Sequence, residues 1–263
     1  MKREKLFWLM IAWLFVAFLG VGCGGGGGEA APTEGEEAAG ETAADSPVDA
    51  ATAATIIGKV NFTGSAPELE PILMDAETVC AEQYTEGPFT ETVIVNDNGT
   101  LRHVFVYVKE GLADLEFPVP AEGVVLDQKG CRYIPHVVGV QVGQELIIRN
   151  SDGILHNIHP MPTTNRPFNL GQPVAMDSSK TFDQVELAIP IECDVHDWML
   201  GYLNVLDHPY FATTGDDGTF SLPNLPPGTY TIASWHELYG EQTMSVTVGE
   251  NETQEIEFTF EGG

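Results

Sequence analysis

The sequence predicts an all-β protein of two small sandwiches in series. Beyond residue 22 the apolar residues follow no long helical period and come in short runs rich in Val, Ile, Phe and Tyr. Gly, Pro and Asp turns separate these runs, the pattern of a β-sandwich. The turn chemistry then changes after residue 206. There Asp216-Asp217-Gly218 and Leu225-Pro226-Pro227-Gly228 each interrupt strand-like residues, with Pro and Gly setting the turn dihedrals. A length of 263 residues suits about two domains.

Residues 1–22 belong to neither sandwich. Lys2, Arg3 and Lys5 precede a sixteen-residue apolar run, Leu6 to Val21, and then Gly22-Cys23. A charged start, a short apolar run and small residues read as a secretory signal. The run is short for a membrane-spanning helix, which needs about 20 residues. Gly22-Cys23 resembles a bacterial lipobox, which makes Cys23 the lipidated residue of an exported protein. That protein would be anchored to a bacterial membrane and face the periplasm or the cell surface. An uncleaved anchor and an ordinary signal peptide are the alternatives. Residues 23–53 carry five successive glycines and seven acids, with no base and no aromatic residue. Such a composition cannot bury enough surface to fold and reads as an acidic tether.

Strand-like runs begin at Ile56 to Phe62. Glu91 to Asn96 and Leu101 to Lys109 flank Asp97-Asn98-Gly99 and predict a hairpin. Val104, Val106 and Val108 alternate with Phe105 and Tyr107, so both faces are apolar and the strand is expected to be central. Val124 to Asp127, Tyr133 to Val140, Glu145 to Asn150, Thr181 to Leu187, Ile189 to Ile191 and Leu203 to Leu206 follow. Residues 242–248 and 253–260 supply two later strands.

One stretch concentrates chemistry. Cys193, His196 and Met199 place a thiolate, an imidazole and a thioether within seven residues. Strand side chains alternate, so these three converge only if the chain turns tightly between them. Two His, one Cys and a weak axial Met are the ligand set of a blue-copper electron-transfer site. The second imidazole is expected from His156, in the stretch Asn150 to Asn157. His159, three residues on, would face the other side of a strand. Met161 and Met176 are the rivals to Met199, and core packing is the plainer use for both.

Cys-x-x-His-x-x-Met, with an upstream His-Asn pair, resembles the blue-copper cupredoxins, and its short ligand loop resembles amicyanin more than plastocyanin. The resemblance covers residues 124–206 well and the preceding strands weakly. It implies a Greek-key sandwich over residues 54–206, with its core at 124–206. It also implies one type 1 copper on His156, Cys193, His196 and Met199, with the backbone N–H of Asn157 donating to the Cys193 sulfur. Two features depart from the family: Asp197 stands where a Pro follows the second His, and Ile191 and Glu192 stand where an aromatic residue is usual. Asp197 is expected beside an exposed edge of His196, where it would lower the potential and attract a basic partner. Trp198 either packs over the ligand loop or is core.

Asp-x-Gly-x-Phe at 216–220 and Leu-Pro-Pro-Gly-x-Tyr at 225–230 resemble the carboxypeptidase regulatory-like domains, small transthyretin-like sandwiches. The expectation is a tandem domain at 207–263. The alternative is that Ile56 to Gly64 pairs back to complete it and the cupredoxin is an insertion. His103 and His136 form no sequence constellation, and His208 and His236 are read as surface residues.

Cys80 and Cys131 remain. In an oxidising compartment their simplest use is a disulfide, and two free buried thiols are the alternative. The formal charge is −28, which excludes binding nucleic acid through its phosphates and favours a basic partner. The class of partner is a basic c-type cytochrome or a periplasmic dehydrogenase. The leading function is single-electron transfer, and the alternatives are copper handling and a structural surface role. An enzyme is not expected, because the chain has no His-x-His pair for further copper centres and only one Cys in the ligand loop.

Overall fold

The computed structural model describes residues 46–74 and 76–263. Cys23, the leader and most of the tether lie outside them. The elements are β1 (Ala54–Gly64), α1 (Thr78–Ala81), β2 (Phe105–Glu110), β3 (Val124–Gln128), β4 (Tyr133–Ile134) and β5 (Val137–Gln141). Next come β6 (Leu146–Asn150), β7 (His156–Pro160), β8 (Leu170–Gln172), β9 (Met176–Lys180), β10 (Glu186–Glu192) and β11 (Leu200–Leu206). The last five are β12 (Phe211–Thr213), β13 (Thr219–Leu225), β14 (Gly228–His236), β15 (Gly240–Val248) and β16 (Thr253–Gly262). The protein is all-β, as expected, and no helix among the described residues is long and apolar enough to cross a membrane.

The strands form four sheets, which pair into two sandwiches. In the first, the sheet β4-β3-β6-β9 faces the sheet β5-β11-β10-β7-β8. Leu126, Leu146, Ile148, Ile158, Ile189, Ile191, Leu203 and Val205 fill the space between them. In the second, the sheet β13-β1-β16 faces the sheet β12-β2-β14-β15. Its core holds Ile56, Val60, Val104, Val106, Val108, Leu222, Ile232, Phe258 and Phe260.

The second sandwich corrects the tandem expectation. β1 runs antiparallel to β13 and parallel to β16, in register from Thr55–Thr253 to Gly64–Gly262. β2 lies between β12 and β14. Strands from both ends of the chain therefore enclose residues 124–206. The physical reason lies in the edges. Without β1, the strands β13 and β16 have no neighbour to satisfy their backbone groups, and the apolar face over Ile232 stays open. Gly58 permits the close approach, since a Cβ there would lie 2.1 Å from the Ile256 carbonyl oxygen.

β2 is central, and both of its faces are used. Val104, Val106 and Val108 enter the second core, while Phe105 and Tyr107 join Val137, Leu206 and Ala233 in a small cluster between the sandwiches. The hairpin before it is shorter than expected. The turn at 97–99 closes, but the ladder reaches only the Val95–Leu101 bridge. His103, at φ +64°, breaks the run before Phe105. The run 133–140 likewise divides at Pro135, which has no N–H for a ladder.

Candidate metal centre

β10 and β11 are antiparallel, with Glu192 opposite Leu200 as their last pair. The seven residues between them close the hairpin. The Cys193 N–H donates to the Met199 carbonyl (3.3 Å) and the Met199 N–H to the His196 carbonyl (3.0 Å). The turn therefore sets Cys193 and Met199 on either side of the hairpin mouth with His196 at its tip. β7 pairs with β10 through Glu192–His159, which carries His156 past the end of β10 to face the loop.

The result is a buried convergence of donors. His156 Nδ1 and His196 Nδ1 are 3.0 Å apart, and Cys193 Sγ is 3.7 Å from His196 Nδ1. The three donor atoms of His156, Cys193 and His196 all lie within 4.8 Å of one another. All three residues are buried, as is Met199. Met161 and Met176 are 38% and 40% exposed, against 1% for Met199. His159, on the other face of β7, is over a third exposed and its Nδ1 pairs with Asp194 Oδ1 at 3.0 Å.

Asn157 reaches the sulfur through its side chain. Cys193 Sγ donates to Asn157 Oδ1 at 3.3 Å, and the same oxygen accepts the Asp194 N–H at 2.7 Å. Burial raises the Cys193 thiol pKa. The hydrogen bond from His156 and the backbone amides of Asn157, His196 and Val195 outweigh that and hold it below its ordinary value. Burial likewise opposes charge on His156, but its bonds to Asp152 and Cys193 prevail and raise it to about 9.

Asp152 is a site residue the sequence did not single out. Its carboxylate is nearly buried. Oδ2 pairs with His156 Nε2 (2.9 Å) and accepts the Cys131 N–H (2.8 Å). Oδ1 accepts the Gly130 N–H (2.8 Å) and Gln83 Nε2–H (3.1 Å). In the neutral ring, a carboxylate on Nε2 keeps the proton there and leaves the Nδ1 lone pair toward the pocket, the usual device for orienting a metal-ligating imidazole.

Cys80 and Cys131 form a disulfide. Cys80 Sγ lies 3.9 Å from His196 Nε2, and the segment around α1 covers the loop. His196 is only 2% exposed. The expected exposed edge of His196 is therefore absent, because the disulfide-bearing segment packs on it. Asp197 itself is exposed. Trp198 sits beside the loop, its ring 5.2 Å from that of His196 and its Nε1–H donating to the Cys131 carbonyl at 3.1 Å.

His136, His208 and His236 are buried and His103 is half-buried, which corrects the surface reading of His208 and His236. His208 Nε2 pairs with the Val108 carbonyl at 2.9 Å, and His236 Nδ1 accepts the Leu238 N–H at 3.2 Å. His103 and His136, far apart in sequence context, have ring centroids 5.0 Å apart, and His136 Nε2 pairs with Glu237 at 2.6 Å. Burial, with His136 and Arg102 nearby, depresses His103 to about 3. Burial depresses His236 to about 4.

The turn at Asp217, whose Oδ1 accepts the Thr219 N–H at 3.0 Å, and the turn at 225–228, closed by Tyr230 Oη on the Pro226 carbonyl, carry the second sandwich's signatures. Residues 205–261 match the carboxypeptidase regulatory-like domain. The strands of that domain are completed by β1 and β2. No curated protein matches the chain. Among solved structures the chain is similar to amicyanin from Paracoccus versutus (20% identity, TM-score 0.29, 38% of this chain and 96% of that one). It is also similar to a purple cupredoxin from Nitrosopumilus maritimus (18% identity, TM-score 0.27, 31% of this chain and 98% of that one). A third is the copper-containing nitrite reductase of Thermus scotoductus SA-01 (17% identity, TM-score 0.31, 38% of this chain). The chain spans 26% of that enzyme's length.

Proposed function

We propose that this protein carries single electrons through one copper ion held by His156, Cys193, His196 and Met199. The observation that carries the reading is the buried convergence of His156 Nδ1, Cys193 Sγ and His196 Nδ1. The donor set fits the ion: one thiolate, two imidazoles and an adjacent thioether are what such a copper takes. Copper would supply a reversible one-electron couple. The chain's own part is to hold the geometry. Asp152 orients His156, the backbone amides of Asn157, His196 and Val195 stabilise the sulfur as thiolate, and the β10–β11 hairpin locks the loop. Four protein ligands, all buried, suit electron transfer rather than substrate turnover.

The acidic chain would meet a basic redox partner such as a c-type cytochrome or a periplasmic dehydrogenase. Lipid on Cys23 would tether it to a bacterial membrane on the exported side. Stopped-flow electron exchange between the copper-loaded protein and a basic c-type cytochrome tests this. Exchange should be fast at low salt and slow as salt rises. No exchange at any ionic strength would refute it.

Copper handling is the second reading, and the cover over His196 favours it. A carrier needs an electron route at the surface, whereas a store needs a closed site. Copper that reduces slowly but passes readily to a chelator would decide for handling.

A further inference from the structure

The His196 ring faces two sets of donors. Its Nδ1 looks into the pocket of His156 and Cys193, while its Nε2 looks the other way, at Cys80. Cys80 Sγ, Cys131 Sγ and a His196 ring nitrogen form a second group within 4.8 Å of one another, all buried. Cys131 also belongs to a third such group, with Asp152 and His156.

We propose that the dithiol form of the protein binds a second soft cation, Zn(II) or Cu(I), on Cys80, Cys131 and His196 Nε2. In the doubly loaded protein the His196 ring, its last N–H proton displaced by the second ion, would bridge the two as imidazolate. Thiolates with imidazole select these metals over harder ones. The distances suit them. Tetrahedral zinc, with Zn–S and Zn–N near 2.3 and 2.05 Å, requires S···N of about 3.6 Å and S···S of about 3.8 Å. Cys80 Sγ already lies 3.9 Å from His196 Nε2. Two unbonded sulfurs settle at roughly the required S···S separation, so cleavage itself moves them toward the site.

The chemistry balances with a dithiol reductant. It transfers two electrons and two protons to the Cys80–Cys131 bond and leaves as its own disulfide. The metal then displaces the two thiol protons. Access comes through the covering segment, whose helix α1 is four residues long. The segment is exposed at Leu73 (76%) and, within α1, at Val79 (42%), the profile of a part that opens locally.

The test uses the full chain carrying Cys193→Ser and Cys23→Ser, so that any metal–thiolate signal comes from the second site. After reduction and removal of the reductant, Cys80 and Cys131 are alkylated with and without Zn(II) and counted by mass spectrometry. Co(II) is added in parallel for its thiolate charge-transfer band. The proposal expects protection of both cysteines by Zn(II) and a cobalt–thiolate band, both absent before reduction. Adding His196→Ala should weaken Zn(II) protection by more than the roughly 10–100-fold typical of an outer-shell change.

If reduction unfolds the chain, Zn(II) should restore β-sheet circular dichroism together with protection. Alkylation at the same rate with and without Zn(II), in folded or unfolded chain, overturns the proposal. Protection unaffected by His196→Ala overturns the ligand set. The blue colour of the oxidised wild-type protein reports on the first site separately, so failure of either reading is seen by itself.

Discussion

Replacing Asp152 by Asn removes one charge and reverses the hydrogen bonding of one oxygen. The carboxylate accepts four N–H groups, two on each oxygen. An amide must turn its NH2 toward one pair. Keeping its oxygen on His156 and Cys131 turns the NH2 on the Gly130 N–H and Gln83. Gln83 can rotate its own amide and accept, but Gly130 cannot. A hydrogen bond to a charged group contributes about 1.5–3 kcal/mol, and the orphaned Gly130 N–H adds a desolvation cost. We expect a net loss of about 3 kcal/mol, which lowers Tm by roughly 6–12 °C for a domain of this size. The neutral amide also orients His156 less firmly, so copper affinity should fall by about 10–100-fold. Differential scanning calorimetry of the metal-free protein and competition with a chelator measure the two effects. Unchanged Tm and unchanged affinity would refute the role given to Asp152.

Three further outcomes are expected. His156→Ala should abolish the thiolate-to-copper colour, while His159→Ala should keep it, because His159 faces Asp194 and not the pocket; the reverse result would exchange their assignments. His103 and His236 are depressed from 6.5 to about 3 and about 4. The unfolded chain thus binds more protons below pH 6.5, and stability falls as pH drops through that range. Each residue costs about 2 kcal/mol between pH 6.5 and 5. His156, raised to about 9, acts oppositely: its contribution is full below pH 6.5 and is lost as pH rises through 9. Urea midpoints of the metal-free protein should therefore fall on both sides, and a flat profile from pH 5 to 6.5 contradicts the buried neutral histidines. Gly58→Ala places a Cβ against the Ile256 carbonyl and should cost about 1–3 kcal/mol in denaturant unfolding; a neutral effect would contradict the β1–β16 pairing.

Local chemistry was legible where it was local. The Cys193-to-Met199 spacing forced a turn, and the turn is there, because three donors on a strand would have alternated. Val104 to Val108 announced a central strand through apolar residues on both faces. The partner of β1 was not legible, because Ile56 to Phe62 carries the same alternation whether it joins the first or the second sandwich. Only the unsatisfied edges of β13 and β16 choose. Met176 to Lys180, in β9, has three polar side chains in its middle and reads as a loop; the edge of a sheet accepts it. The cover on His196 depends on a disulfide between residues 51 positions apart in sequence. The pairing was readable from cysteine arithmetic, but the ring it packs on was not. Asp152, a lone acid in a turn, showed no pattern until the fold set it against His156.

The most direct test is a Cu(II) titration of the full chain and of Cys193→Ser, followed by visible absorption and electron spin resonance. The account predicts one copper per chain, an intense thiolate-to-copper band that bleaches reversibly on one-electron reduction, and loss of that band in Cys193→Ser. A Cu(II) complex without the band, or a band that survives Cys193→Ser, would contradict it.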